Sequence, residues 1–265
     1  MNPFFFGDPE KSLFGIYHPP SSDRSRHCGI VICHPIGHEY ILGYRALRQL
    51  SSQLARAGFA VLRFDYYGCG DSAGDAYGGS ITRWTSNIEV AIEEIRCRGA
   101  LSKICLVGAR LGAALSLLIG SRHPDLEALV LWDPVVDGKN YMTRLAVQHQ
   151  EWLNKGTAPT PLSQLSEQTL EVLGFPISPA LKQSIEQIDL KSVGRPLVKH
   201  VLTLESDKSF SGNQLHDHLA AVGTDSEYQY IPTPRAWLRK NGGENVVVPR
   251  DMLQAIVGWL AKIAK

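Results

Sequence analysis

The sequence predicts an α/β fold in which a mostly parallel sheet of about eight strands is covered by helices on both faces. Three observations predict it. The runs Cys28–Cys33 and Leu126–Trp132 are continuously apolar, which is typical of strands buried on both faces. Strand patterns alternate with helical periodicities, as in parallel sheets. A third apolar run, from Lys103, ends in Gly108-Ala109-Arg110-Leu111-Gly112, and this glycine-flanked turn leads into a small-residue helix.

The predicted elements follow from periodicity and from turn residues. Strands are predicted at 12–18, 28–33, 59–65, 103–107, 126–132, 197–204 and 226–231, and helices at 42–57, 84–98, after 112, at 215–222 and at 252–264. Residues 139–195 show no strand pattern and contain several prolines, so we expect short helices that form a lid. The core is then 1–138 and 196–265, with 139–195 inserted as a helical lid.

Composition limits the function classes. The chain has 265 residues, of which 44% are hydrophobic, so one globular domain is expected. Its formal net charge is only +1, so electrostatics do not favour binding to nucleic acid or to an anionic membrane. The five cysteines show no paired spacing and are expected to be reduced, which predicts a cytoplasmic protein. The N-terminus lacks the basic start of a secretory signal, and no apolar run approaches the roughly eighteen residues of a membrane span.

Four motifs lie at the predicted carboxyl ends of strands, where such sheets bind ligands. They are His34-Pro-Ile-Gly-His-Glu-Tyr40, Arg63-Phe-Asp-Tyr-Tyr-Gly-Cys-Gly-Asp-Ser72, Gly108-Ala-Arg-Leu-Gly-Ala113 and Leu131-Trp-Asp-Pro-Val-Val-Asp-Gly138. With these motifs the chain resembles α/β-hydrolases of the serine aminopeptidase-like branch, and among them hydrolases associated with bacterial exosortase and acyl-carrier gene clusters. The resemblance implies the α/β-hydrolase fold, no cofactor, and a small acyl ester or thioester ligand, either free or bound to a carrier protein.

The resemblance also implies a catalytic triad, and the sequence departs from it. Active relatives carry serine at the centre of the glycine-flanked turn, an acid after the strand that Leu204 ends, and a histidine in the last loop. Here these places hold Arg110, Asp207 and, between Ile231 and Lys265, no histidine at all. An arginine cannot attack an acyl carbon because its guanidinium stays protonated. Ordinary serine hydrolysis is therefore not expected.

Arg110 has two open interpretations. It could be a structural plug paired with a carboxylate, or it could hold an anionic group of a ligand. Either way, a buried guanidinium needs an acidic partner. We expect Glu244 to be that partner, because its loop is the one without the histidine, with Glu39 as the next choice.

Further candidates come from the loops around this turn. His38 and Glu39 are candidates for moving a proton, and both are expected in the loop after the strand that ends at Cys33. His34, Cys69, Leu111 and Tyr141 are the candidates for substrate binding. Cys69 is more simply a packed thiol, since no base is evident. No histidine or cysteine has the spacing of a metal site.

Three functions remain open at this stage. The chain could act on an acyl ester or thioester by a non-serine mechanism, bind such a metabolite without reacting with it, or serve as an interaction subunit with a filled pocket. An open pocket would favour the first two.

Overall fold

The computed structural model of the protein describes residues 1–21, 25–154, 170–233, 237 and 248–264. Within these residues, one eight-stranded sheet consists of β1 (Asn2–Phe6), β2 (Leu13–His18), β3 (Cys28–Cys33), β4 (Ala60–Phe64), β5 (Lys103–Ala109), β6 (Leu126–Trp132), β9 (His200–Glu205) and β10 (Ser226–Tyr230). Its order is β1-β2-β4-β3-β5-β6-β9-β10. The pairs β1–β2 and β2–β4 are antiparallel, and the others are parallel. The predicted mostly parallel sheet is confirmed.

Helices cover both faces of the sheet. They are α1 (Gly37–Arg56), α2 (Ile81–Gly99), α3 (Leu111–Gly120), α4 (Gly138–Asn154), α5 (Pro179–Glu186), α6 (Gly212–Ala221) and α7 (Arg250–Ile263). One apolar core packs α2 and α3 against the sheet, and a second packs α1 and α7 against its other face. Every residue of β3 and β6 is buried, because both faces of these central strands are covered.

A two-stranded hairpin lies in the segment that was expected to contain no strand. β7 (Leu170–Val172) pairs antiparallel with β8 (Phe175–Ile177). Leu173 and Gly174 both have positive φ, 52° and 88°, which is the backbone of a tight hairpin turn. The expectation of a strand-free segment is wrong because leucine rarely occupies such a turn, and because Pro176 suggests a break in the chain although an edge strand tolerates proline.

Two further boundaries differ from the predicted ones. β1 adds an edge strand at the N-terminus that the short run of phenylalanines did not reveal. Helix α1 begins at Gly37 rather than near residue 42, so it reaches the carboxyl edge of the sheet. This earlier start brings the first turn of α1 beside the turn between β5 and α3.

Candidate functional site

Arg110 forms the turn between β5 and α3. Its φ of 54° and ψ of −120° are unusual for a residue with a side chain, so the surrounding structure must hold it there. A Cβ on Gly108 would lie 2.5 Å from the Cα of Ala113, and a Cβ on Gly112 would lie 2.2 Å from the carbonyl oxygen of Cys33. The two glycines therefore permit the tight turn, and the predicted strand-turn-helix is confirmed.

The Arg110 side chain is buried in an ion pair. Its Nε donates to Oε1 of Glu39 at 2.8 Å, and its Nη1 donates to the carbonyl oxygen of Asp133 at 2.9 Å. Each side chain of the pair is only 6% exposed. The expected carboxylate partner is thus present, and it is the second choice, Glu39. Glu244 lies outside the described residues.

Tyr141 and Phe210 complete the surroundings of this pair. The Tyr141 hydroxyl donates to Oε2 of Glu39 at 2.9 Å, so both carboxylate oxygens accept a hydrogen bond. The Arg110 guanidinium carbon lies 4.2 Å from the centre of the Phe210 ring, within cation–π range. Burial lowers the pKa of Arg110, but the charge and hydrogen bond of Glu39, together with Tyr141 and Asp133, outweigh burial and the pKa is raised. Burial, followed by Glu39, raises the pKa of Tyr141 well above its ordinary value, so this hydroxyl keeps its proton.

Glu39 is placed by the first turn of α1. The positive end of the helix dipole favours an acidic side chain there, which adds to the attraction of Arg110. The expectation that His38 and Glu39 lie in a loop is wrong, since both belong to α1. The helix holds Glu39 on its buried side, whereas a loop residue would have more freedom to turn toward solvent.

A second buried carboxylate, Asp133, lies beside the pair. It follows β6 with a φ of 45° and is fully buried. Its carboxylate oxygens accept from the amide and the hydroxyl of Ser206, at 2.6 and 2.7 Å, and from the indole of Trp237 at 2.7 Å. Burial raises its pKa, and these hydrogen bonds and Arg110 oppose the rise. Sequence reasoning did not select Asp133, although an aspartate directly after a buried strand was a usable signal.

An apolar cavity of about 240 Å³ adjoins the Arg110–Glu39 pair. The hairpin β7–β8 covers one side through Val172, Phe175 and Ile177. The cavity is also lined by the predicted site residues His34, His38, Glu39, Cys69 and Tyr141. Five predicted side chains thus line one space, together with the aromatic ring of Trp84.

The comparisons with known proteins agree with this architecture. The family model described as serine aminopeptidase, S33, matches residues 26–171, which is more than half of the chain. The chain belongs to this family. A search of curated proteins finds no significant match for this S33 protein.

Solved structures show that this S33 protein has the α/β-hydrolase fold. Est1E from Butyrivibrio proteoclasticus, solved with ferulic acid bound, matches with a TM-score of 0.72 at 15% identity, over 99% of this chain and 100% of that one. Proline iminopeptidase from Mycobacterium smegmatis matches with 0.69 at 10% identity, over 99% of each chain. Mouse α/β-hydrolase domain-containing protein 10 matches with 0.62 at 19% identity, over 99% and 98%.

Two predicted site residues, Leu111 and Asp207, have other places in the S33 protein, and a third, Cys69, lines the cavity as a protonated thiol. Leu111, the first residue of α3, is fully buried and does not line the apolar cavity, because its side chain packs in the core between the sheet and its helices. The Asp207 carboxylate accepts from the amide of Ser209 at 2.9 Å and so caps a short 3-10 turn after β9. Burial, with the nearby charge of Asp65, raises the pKa of Cys69 to about 12, which leaves its thiol protonated near neutral pH.

His34 is held between the backbone and an acid. Its Nδ1 lies 2.7 Å from the carbonyl oxygen of Pro35, and its Nε2 lies 3.6 Å from Oδ1 of Asp65. Burial lowers its pKa, although Asp65 opposes the shift. The Asp65 carboxylate also accepts from the hydroxyl of Tyr40 and the amide of Asp71. A neutral, fixed imidazole therefore lies at the edge of the apolar cavity.

Two other features are absent from the described part of the chain. It contains no group of three or more His, Cys, Asp or Glu side chains that could hold a metal ion. Among the same residues, no helix combines the length and apolar character that a membrane crossing needs.

Proposed function

We propose that this protein binds an acyl ester or thioester-type metabolite in the apolar cavity beside Arg110, and that it does so without a serine nucleophile. In this proposal Arg110 occupies the position of the nucleophile serine of active relatives. The ligand is a small acyl compound, free or attached to a carrier protein in a biosynthetic pathway. Residues 139–195, including the hairpin β7–β8, act as the lid of the binding site.

The observation that carries the proposal is the cavity itself. Its volume of about 240 Å³ suits a short acyl group, and its walls are mostly apolar side chains with a few polar groups among them. An interaction subunit with a filled pocket would not need this space. The buried Arg110–Glu39 pair closes the place from which a serine would attack, so binding is better supported than hydrolysis.

Binding can be tested with a model thioester, S-hexanoyl-N-acetylcysteamine, by isothermal titration calorimetry. We expect saturable binding by the parent protein. Val172→Trp places a large ring into the cavity and should weaken binding at least tenfold. The control Val147→Trp adds the same ring on α4 at a residue that is 53% exposed, and it should bind like the parent.

Two results would contradict the proposal. The first is the absence of saturable thioester binding by the parent, or equal affinity in Val172→Trp. The second is stoichiometric labelling of the parent by a fluorophosphonate, because that would reveal a reactive serine where the proposal has none.

One observation favours a catalytic version of the same site. The neutral imidazole of His34 borders the cavity and is oriented by Pro35, so it could accept a proton from a water molecule that attacks a bound thioester. The test is release of free thiol from the same thioester, compared between the parent and His34→Gln. Turnover that is lost in His34→Gln, while binding persists, would establish the catalytic version.

A further inference from the structure

A second cavity, of about 230 Å³, lies on the other side of Tyr141. Tyr141 is the only lining residue that it shares with the apolar cavity within the described part of the chain. The side chains that line this second cavity differ in chemistry from those that line the apolar cavity. Three cationic side chains line it, Arg110, Arg144 and Lys191, together with one carboxylate, that of Asp137.

The two guanidinium groups converge on one aromatic ring. The guanidinium carbons of Arg110 and Arg144 lie 4.2 and 4.7 Å from the centre of Phe210. Arg144 is also held by Ser209, whose carbonyl oxygen accepts from Nη1 at 2.9 Å. Arg110 is already paired with Glu39, and the Arg144 guanidinium brings a second positive charge to the same ring, so both groups would attract an anion bound in this cavity.

Hydrogen-bond donors are available in this cavity. Nε and Nη1 of Arg110 bind Glu39 and Asp133, whereas Nη2 has no hydrogen-bond acceptor among the described residues. The only carboxylate in the lining, Asp137, already accepts from the amide of Asn140 at 2.9 Å and thereby caps α4. Further polar groups in the lining come from Asn140, Ser209, Ser211 and Gln214.

A helix N-terminus adds to the positive potential. Helix α6 begins at Gly212, and the residue before it, Ser211, makes no capping hydrogen bond with its side chain. Ser211 and Gln214 both line the cavity, so the first turn of α6 opens onto it. The first amide of α6, that of Gly212, already donates to Oε1 of Glu205 at 2.9 Å, so this helix end attracts an anion through its dipole.

We propose that this basic cavity, defined by Arg110, Arg144, Lys191 and the start of α6, is a binding site for a phosphate group. A phosphoryl group offers three oxygens that accept several hydrogen bonds at once, which matches two planar guanidinium groups, an ammonium group and several neutral donors better than a carboxylate does. The site goes beyond the proposed acyl binding and does not depend on it.

The proposal can be tested with inorganic phosphate and phenyl phosphate, by isothermal titration calorimetry at low ionic strength. We expect saturable binding by the parent, weakened by added sodium chloride. Arg144→Gln should raise the dissociation constant roughly tenfold, the loss of a hydrogen bond to a charged group, and Lys191→Ala should raise it several-fold. Lys191 is exposed, so its variant should fold even if Arg144→Gln does not. Lys139→Ala removes an exposed lysine that does not line the cavity and should bind like the parent.

A phosphate diester, diphenyl phosphate, distinguishes the source of the group. Preference for phenyl phosphate indicates the monoester of a small metabolite, and equal affinity for both indicates that a diester, such as the linker of a carrier-bound thioester, is also accepted. Either result supports the site. No phosphate binding below about 10 mM, equal affinity in the parent and in both cavity variants, or equally tight binding of acetate would overturn it. None of these results depends on thioester binding, so the two proposals fail separately.

Discussion

Glu39→Gln tests the buried pair most directly. The substitution keeps the size of the side chain and an oxygen that can accept from Arg110, but it removes the negative charge. Arg110 remains protonated, because a guanidinium group keeps its proton at any working pH. Among the described residues, its charge would then face the carbonyl oxygen of Asp133, the more distant Asp133 carboxylate and the rings of Phe210 and Tyr141. Leaving a buried charge without its partner costs about 3–5 kcal/mol.

This free energy corresponds to a measurable change in melting temperature. Unfolding entropy is about 2.1 cal/mol/K per residue, which for 265 residues is about 0.56 kcal/mol/K, so the melting temperature should fall by about 5–9 °C. Differential scanning calorimetry measures it. The matched control is Glu94→Gln, which breaks the pair with Arg98 on the surface of α2. Such a helical surface pair contributes about 0.3–0.5 kcal/mol, so the control should lose about 1 °C or less.

A double-mutant cycle separates the pair from its environment. Arg110→Met, Glu39→Gln and the combined variant are compared with the parent. The combined variant should lose less stability than the two single changes together, because neither buried charge is left alone. If Glu39→Gln lost no more stability than Glu94→Gln, the argument that this pair is buried and mutually dependent would be refuted.

Three other predictions follow from burial and from titration. Cys97 is exposed, whereas Cys69 is half-buried and has a pKa raised to about 12, so iodoacetamide at pH 8 should modify Cys97 and spare Cys69, as peptide mass spectrometry will show. Burial lowers the pKa of His18 from 6.5 to about 4, so between these two pH values the unfolded chain binds more protons than the folded one. The free energy of unfolding should therefore fall as the pH drops from 6.5 to about 4. Denaturant unfolding at several pH values should show a weaker fall in His18→Gln. Ser206→Ala removes the hydroxyl bond to Asp133 and should cost about 1.5–3 kcal/mol of unfolding free energy by urea titration.

Much of the fold was predictable because it depends on local signals. Continuous apolar runs identify strands that are covered on both faces, and β3 and β6 are such strands. The glycines beside Arg110 were equally informative, since each lies where a Cβ would collide with the backbone. Backbone requirements of this kind can therefore be recognised from the residue types alone.

The composition of the site was less predictable because it depends on contacts between distant segments. Glu39 and Arg110 are 71 residues apart, and Glu39 and Tyr141 are 102 residues apart. The choice of Glu39 depends on where α1 begins, and Gly37 is a weak start signal, since the preceding residue makes no side-chain cap. The hairpin at Leu173 was missed for a related reason: its turn residue is held by tertiary packing rather than favoured by its own type.

Arg110→Ser should not create a hydrolase. A serine hydroxyl is attached directly to Cβ, whereas the Nε that contacts Glu39 lies beyond Cγ and Cδ, so the new hydroxyl would fall short of that carboxylate. The Asp133 carboxylate is already occupied by Ser206 and Trp237. A serine nucleophile needs a base within hydrogen-bonding reach.

We therefore expect Arg110→Ser to hydrolyse p-nitrophenyl butyrate no faster than Arg110→Ala, and to react with a fluorophosphonate no faster either. Both variants also leave Glu39 without its cation, so any loss of stability is matched between them and cannot explain a difference in rate. Rapid, stoichiometric labelling of Arg110→Ser alone would mean that a base does reach this turn. The replacement of one residue would then be all that separates the protein from an active serine hydrolase, and the proposal that its site is built for binding would have to be abandoned.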